Sequence, residues 1–214
     1  MTARKRVSLK PRKLPQQPRA AQTVATILEA AARILETRGV EGLNTNLAAQ
    51  RAGVSIGSLY QYFPGKDAII VALCQRERGA FLAQAQAALT EPDGRRALRH
   101  LITASVSQQL QRPTLARLLD AEKTRPAIAR ELAPFLAAMR ALIGRILAYP
   151  DIPRQIDEAT AIGDLMAIMR GMVNAAGEEG EADLPGLEAR VGRAVFGYLG
   201  MAAAPRAAGR RAGK

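Results

Sequence analysis

Between Gly39 and the Pro64-Gly65 pair the chain has room for only two short helices, and this punctuation constrains its fold more than any other feature. Asn44 or Thr45 can cap a helix running through LAAQRAG. Gly53 ends that helix, and Ser55 can cap a second, IGSLYQYF, which stops at Pro64. Ahead of them Val24, Ile27, Leu28, Ala31, Ile34 and Leu35 recur in steps of three and four, the pattern of one helix face over 22–38, with Gly39 as its stop. Two short helices joined by a glycine-bearing turn make a helix-turn-helix. Ala52, Val54, Leu59 and Phe63 are spaced to point together into a core shared with the first helix.

The rest of the chain is built from the same kind of element. Ala, Leu, Arg, Glu and Gln, the better helix formers, are abundant, and aromatic residues make up only 4%, which argues against a β-sandwich or barrel and for an all-α fold. Long helices are expected over 67–89, 95–111, 114–123, 126–148, 154–178 and 185–203. Breaks fall at Pro92-Asp93-Gly94, Pro113, Pro126, Pro150 with Pro153, and Pro185-Gly186; Pro134, inside one helix, is expected to kink or divide it. The division that follows is a flexible basic arm (1–20), a three-helix helix-turn-helix domain (21–66), a larger helical domain (67–204) and a disordered basic tail (205–214).

Charge separates these parts. The net charge is +12, yet residues 67–204 hold sixteen basic and sixteen acidic residues. Residues 1–66 carry eleven Lys and Arg against three acids, and the tail carries four more cations. A surplus gathered at the N-terminal third points to a polyanion partner, or else to a solubilising tail. Nucleic acid leads over an anionic membrane, because the arm lacks the apolar face of an amphipathic anchor. No run approaches the ~18 apolar residues of a membrane span, and no apolar segment follows the N-terminal charges, so a cytoplasmic location is expected. Cys74 has no partner for an internal disulfide. With a single histidine, no Cys/His cluster, no glycine-rich phosphate loop and no G-x-S-x-G or H-E-x-x-H pattern, no catalytic residue, metal site or cofactor is expected. The chain does not read as an enzyme.

The face of the second short helix turned away from the core offers Ile56, Gly57, Ser58, Tyr60, Gln61 and Tyr62, a set suited to a DNA groove. Here the chain resembles the tetracycline-repressor (TetR/AcrR) family of bacterial transcriptional regulators. The resemblance lies over residues 22–73, in ATILEAAARILETRG and then LNTNLAAQRAGVSIGSLYQYFPGKDAII, where AGVS, SLYQYF and the Lys after Pro-Gly stand in the family's order. It implies that Thr45, Ser58, Tyr60, Tyr62 and Lys66 contact phosphates and that Asn46, Ile56, Gly57 and Gln61 lie against base edges. Ser55, at the start of the same helix, belongs with this set. Gln61, and Asn46 if it reaches the groove, can pair bidentately with adenine, and Ile56 can meet a thymine methyl. Each has a plainer reading: the rings of Tyr60 and Tyr62 can cover core edges, and Thr45 can be only a cap. Where the family has a polar residue followed by a branched aliphatic, this chain has Leu47 and Ala48, so local repacking is expected.

One short recognition helix touches few bases, so a homodimer on a palindromic operator in double-stranded DNA is expected. The small residues Ala159, Gly163, Ala167, Gly171 and Ala175, then Gly192, Ala194, Gly197 and Gly200, can let the last two helices approach a partner copy, or can simply loosen those helices. The resemblance implies the same interface, and a pocket for an unidentified small-molecule effector that releases a repressor from DNA. Leu110, Leu118, Phe135, Met139, Met166, Met169 and Met172 can line such a largely apolar pocket or can be core. Asp164 and Arg170 are candidates to orient a polar ligand group, and His100 reads as a partly exposed helix residue.

Overall fold

The computed structural model describes residues 18–201. Among them are nine α-helices and no strand: α1 (Pro18–Gly42), α2 (Thr45–Ala52), α3 (Ile56–Tyr62), α4 (Lys66–Gln86), α5 (Gly94–Gln111), α6 (Pro113–Glu122), α7 (Pro126–Leu147), α8 (Glu158–Glu179) and α9 (Leu184–Tyr198), with a 3-10 turn at Ala87–Thr90. Most of the expected arm and tail lies outside the described residues. The three described positions assigned to the arm, 18–20, belong to α1 instead. Among the described residues no helix is long and apolar enough to cross a membrane.

Local chemistry sets the boundaries. Gly39 takes φ 66°, ψ −174°, so the regular path of α1 breaks at the expected stop and the chain turns to bury Leu43. Asn44, not Thr45, caps α2, its side chain accepting from the Leu47 N–H at 2.8 Å. Gly53 ends α2 in the left-handed region, and its N–H reaches the carbonyls of Ala49 and Gln50. Asp93, Asp157 and Asp183 cap α5, α8 and α9 in the same way as Asn44.

Two expectations about the long helices are corrected, and one of the two alternatives for Pro134 is removed. α8 begins at Glu158, four residues later than its pattern indicated, because Asp157 caps it. α9 ends at Tyr198, and Gly200 follows at φ 71°. Pro134 does not divide α7; it and Arg130, whose carbonyl loses its helical partner, are both exposed, so water can satisfy the freed group.

The buried residues form two clusters. The first joins α1, α2 and α3 to the start of α4, where all of residues 68–74 are buried, and takes in Leu115 and Leu119 of α6 and Ile128 and Leu132 of α7. A helix apolar on every side belongs in the middle of a fold, and the core of the head accordingly runs beyond residue 66 into the first two turns of α4. The second cluster fills the body between α5, α7, α8 and α9. Ala48 is fully buried and Leu47 packs at the edge of the head core.

Ionic contacts join head to body. Arg112, at the α5–α6 junction, donates to both oxygens of Glu36 at 2.7 Å each and to Glu29 at 3.1 Å, both on α1. Arg125, at the α6–α7 junction, donates to Asp67 of α4 at 3.0 and 2.7 Å and to Glu122 at 2.7 Å. Both ends of α6 are therefore tied to the helices that carry the head.

Candidate nucleic-acid interface and body cavity

A helix of seven residues is unstable alone, and α3 is held by two anchors, Leu59 (0% exposed) and Phe63 (1%). Its first turn is fixed by Ser55, whose Oγ accepts from the Ser58 N–H at 3.0 Å and pairs with the Ser58 hydroxyl at 2.9 Å. With Leu59 and Phe63 turned inward, Ile56, Gly57, Tyr60 and Gln61 are left exposed together. Ile56 and Tyr60 are 39% and 41% exposed, which no interior contact requires.

The Tyr60 and Thr45 hydroxyls lie 3.1 Å apart, so Thr45 joins the first turn of α2 to the exposed face of α3. Asn46 stands exposed beside it. Tyr62 is different: it is half-buried and its ring packs at the edge of the head core. Lys66 opens α4 with no side-chain cap before it and forms no ion pair with the described residues, although a cation is disfavoured at a helix N-terminus. The Thr45–Tyr60 contact thus joins the start of α2 to the exposed side of α3, while Ser58, Tyr62 and Lys66 are partly buried.

In the body, a cavity of about 420 Å³ opens between α4, α5, α6, α7 and α8. Phe135, Met139, Met166 and Met169 line it as expected. Leu110 and Met172 do not, and are partly buried against the body core; Leu118 packs against the head core. Arg170 is in the lining, whereas Asp164 is not and accepts from the Tyr198 hydroxyl at 2.7 Å. The sequence reading missed Cys74, Arg78 and Phe81, which line the cavity from α4, and Asp120, Lys123 and Asn174. The spacing of 74, 78 and 81 on one helix face was the available signal. Burial pushes the Cys74 thiol up to about 11, so it stands in the wall as a protonated thiol.

Of the small residues on α8 and α9, Gly163, Gly171 and Gly197 have open space where a Cβ would stand, and Ala167 is exposed. Gly192 is buried beside Phe196 of its own helix and so has no surface to offer a partner. His100 is a third exposed and lies 3.0 Å from Glu91, as a helix-surface residue would.

A helix-turn-helix head whose second helix presents polar and aromatic groups, set on a wholly helical body, defines a DNA-binding regulator class. Residues 27–73 match the family model "Bacterial regulatory proteins, tetR family". The HTH-type transcriptional repressor KstR of Rhodococcus jostii is 31% identical over 91 residues, 42% of this chain and 41% of that protein. The fatty acid degradation regulator FadR of Bacillus halodurans superposes with a TM-score of 0.71 at 19% identity, over 86% of this chain and 97% of that one. FadR of Bacillus subtilis in complex with stearoyl-CoA superposes at 0.71 with 18% identity, over 80% and 96%. Residues 27–73 thus match the tetR family model, and the fold of the chain as a whole is similar to those of the two FadR regulators.

Proposed function

We propose that the protein is a homodimeric repressor that reads a palindromic operator with α3 and leaves it when a small molecule fills the body cavity. The observation that carries this reading is the exposed face of α3. In this reading Gln61 pairs with adenine and Ile56 meets a thymine methyl, while Thr45, Ser55, Ser58, Tyr60 and Lys66 are assigned to the flanking phosphates. Tyr62 contributes chiefly its hydroxyl, since its ring is committed to the head core. The pairing surface is the open face of α8 and α9 around Gly163, Ala167, Gly171 and Gly197.

The release mechanism rests on α6. Leu119 lies both in the cavity wall and in the head core, and the Arg112 and Arg125 ion pairs bind both ends of the helix to α1 and α4. An occupant that displaces α6 therefore shifts the head, and its effect on DNA equals its differential affinity for the two arrangements, about 1–3 kcal/mol in typical cases. In the similar fold of Bacillus subtilis FadR, stearoyl-CoA is bound, which supports a ligand role for the cavity here.

Gly57 tests the closeness of the DNA contact. A Cβ there would meet only Ser55 Oγ, at 3.8 Å, so the fold itself does not need glycine. Gly57→Ala is expected to stabilise the protein by up to about 1 kcal/mol and to weaken operator binding, read by thermal unfolding and fluorescence anisotropy. Higher stability with unchanged affinity would remove the close approach. The function as a whole is tested by capturing sheared genomic DNA on the protein at about 0.2 M salt, where non-specific phosphate binding is weakened. A few discrete sites are expected; even recovery across the genome would refute it.

A further inference from the structure

The cavity wall is mainly apolar with a few neutral polar residues, and at the end marked by Asp120 the charged residues are unequal in number. Arg78, Lys123 and Arg170 are cationic and Asp120 alone is acidic. Asp120 is the hub of that end. Its carboxylate lies 2.7 Å from Lys123 Nζ and 3.7 Å from the Arg78 guanidinium, and it accepts from the Asn174 amide at 2.9 Å. Through these contacts one side chain of α6 holds α4 and α8 together across the cavity. The Arg78 guanidinium also stacks 5.3 Å over the Phe135 ring, which fixes its position at the junction of polar and apolar lining. Arg170 makes no ion pair with the described residues.

Resting on the reading of the cavity as an effector site, we propose that the effector is an amphipathic anion: an apolar chain against Phe135, Met139 and Met169, ending in a carboxylate-like head. The head replaces Asp120 as the partner of Arg78 and Lys123, and Arg170 supplies a further cation at the mouth. Three cations facing one carboxylate favour a negative head over a neutral or positive one of the same size. The same exchange supplies the signal. Once an external anion engages Arg78 and Lys123, α6 loses its Asp120 contact to Arg78 of α4, and the Arg112 and Arg125 clamps carry the resulting shift of α6 to the head.

The test is calorimetric binding of decanoate, 1-decanol and decylamine, each below its micellar concentration, to the full chain and to Asp120→Asn. Decanoate should bind about tenfold tighter than decanol, the scale of one hydrogen bond to a charged group, and decylamine weakest. Asp120→Asn removes the competing carboxylate and should tighten decanoate several-fold without changing decanol. Arg170→Gln, at an exposed position, should weaken decanoate and leave decanol alone, which keeps the proposal testable if Asp120→Asn does not fold. Equal binding of all three, or a preference for decylamine, would overturn the anion while leaving the cavity reading in place. Binding of none would overturn the cavity reading itself.

Discussion

Phe63→Ala is expected to destabilise the protein by about 3–5 kcal/mol, the usual cost of emptying a buried phenylalanine site. Phe63 is 1% exposed and sits just past α3, where its N–H still closes the last turn on the Leu59 carbonyl at 2.8 Å. Truncation leaves that backbone bond intact and removes a fully buried ring from the head core. Leu59, with the half-buried Tyr62 ring at its side, would then be the main apolar hold of a seven-residue helix on the head. The loss is a large part of the ~5–15 kcal/mol that keeps a domain folded, and it falls on the segment that carries the candidate DNA contacts. Urea unfolding should report the lost stability, and operator affinity should fall with it. A loss below about 1 kcal/mol would mean that α3 is anchored elsewhere.

The second large effect is expected at Arg112. Its guanidinium satisfies Glu36 with two hydrogen bonds and Glu29 with a third. Arg112→Met leaves two neighbouring, partly buried carboxylates without this partner. Since the group is 29% exposed, solvent screening moderates the cost to about 1–3 kcal/mol at neutral pH. The effect depends on pH with a definite sign. The hydrogen bond from Arg112 holds the Glu36 carboxyl below its ordinary 4.5. For Glu29 burial acts upward, but the Arg112 and Arg33 bonds with the Arg112 and Arg76 charges outweigh it and also leave it lowered. As pH falls the unfolded chain takes up protons first, so this stabilisation is complete above about pH 4.5 and is lost as pH drops through the lowered folded values. Denaturation curves from neutral to acid pH should show the wild-type and Arg112→Met stabilities converging in acid. A gap constant across that range would contradict the ion pairs. Glu36→Gln in the Arg112→Met background should recover part of the loss, because it removes one of the two repelling charges.

The head was legible because its signals are local. Gly39, Gly53 and Pro64-Gly65 act on the backbone within a residue or two of where they stand, and Asn44 and Ser55 cap helices by bonds three residues long. The inward residues of α3 followed from spacing alone. The body was less legible because cavity membership depends on how each long helix is rotated against four neighbours. Met169 and Met172 stand three positions apart on α8, yet only Met169 reaches the cavity lining, and composition does not encode the helix rotation that separates them. Gly192 was misread for the same reason: small residues recur on more than one face of α9. The head–body clamps were invisible in sequence, since Arg112 and Glu36 are 76 positions apart and nothing local marks either as half of a pair. Nothing local in the sequence marks Asp120 and Lys123 as cavity residues, and it is the fold that places them in the lining.

The central claim, that α3 reads DNA sequence, is tested most directly by selecting duplexes from a random pool at about 0.2 M salt with the wild type and with Gln61→Ala in parallel. The account predicts that the wild type enriches a palindrome whose half-site centres lie about 34–36 Å apart, and that Gln61→Ala enriches the same palindrome relaxed at one base pair in each half-site. No enriched motif, or an identical motif for both proteins, would contradict it.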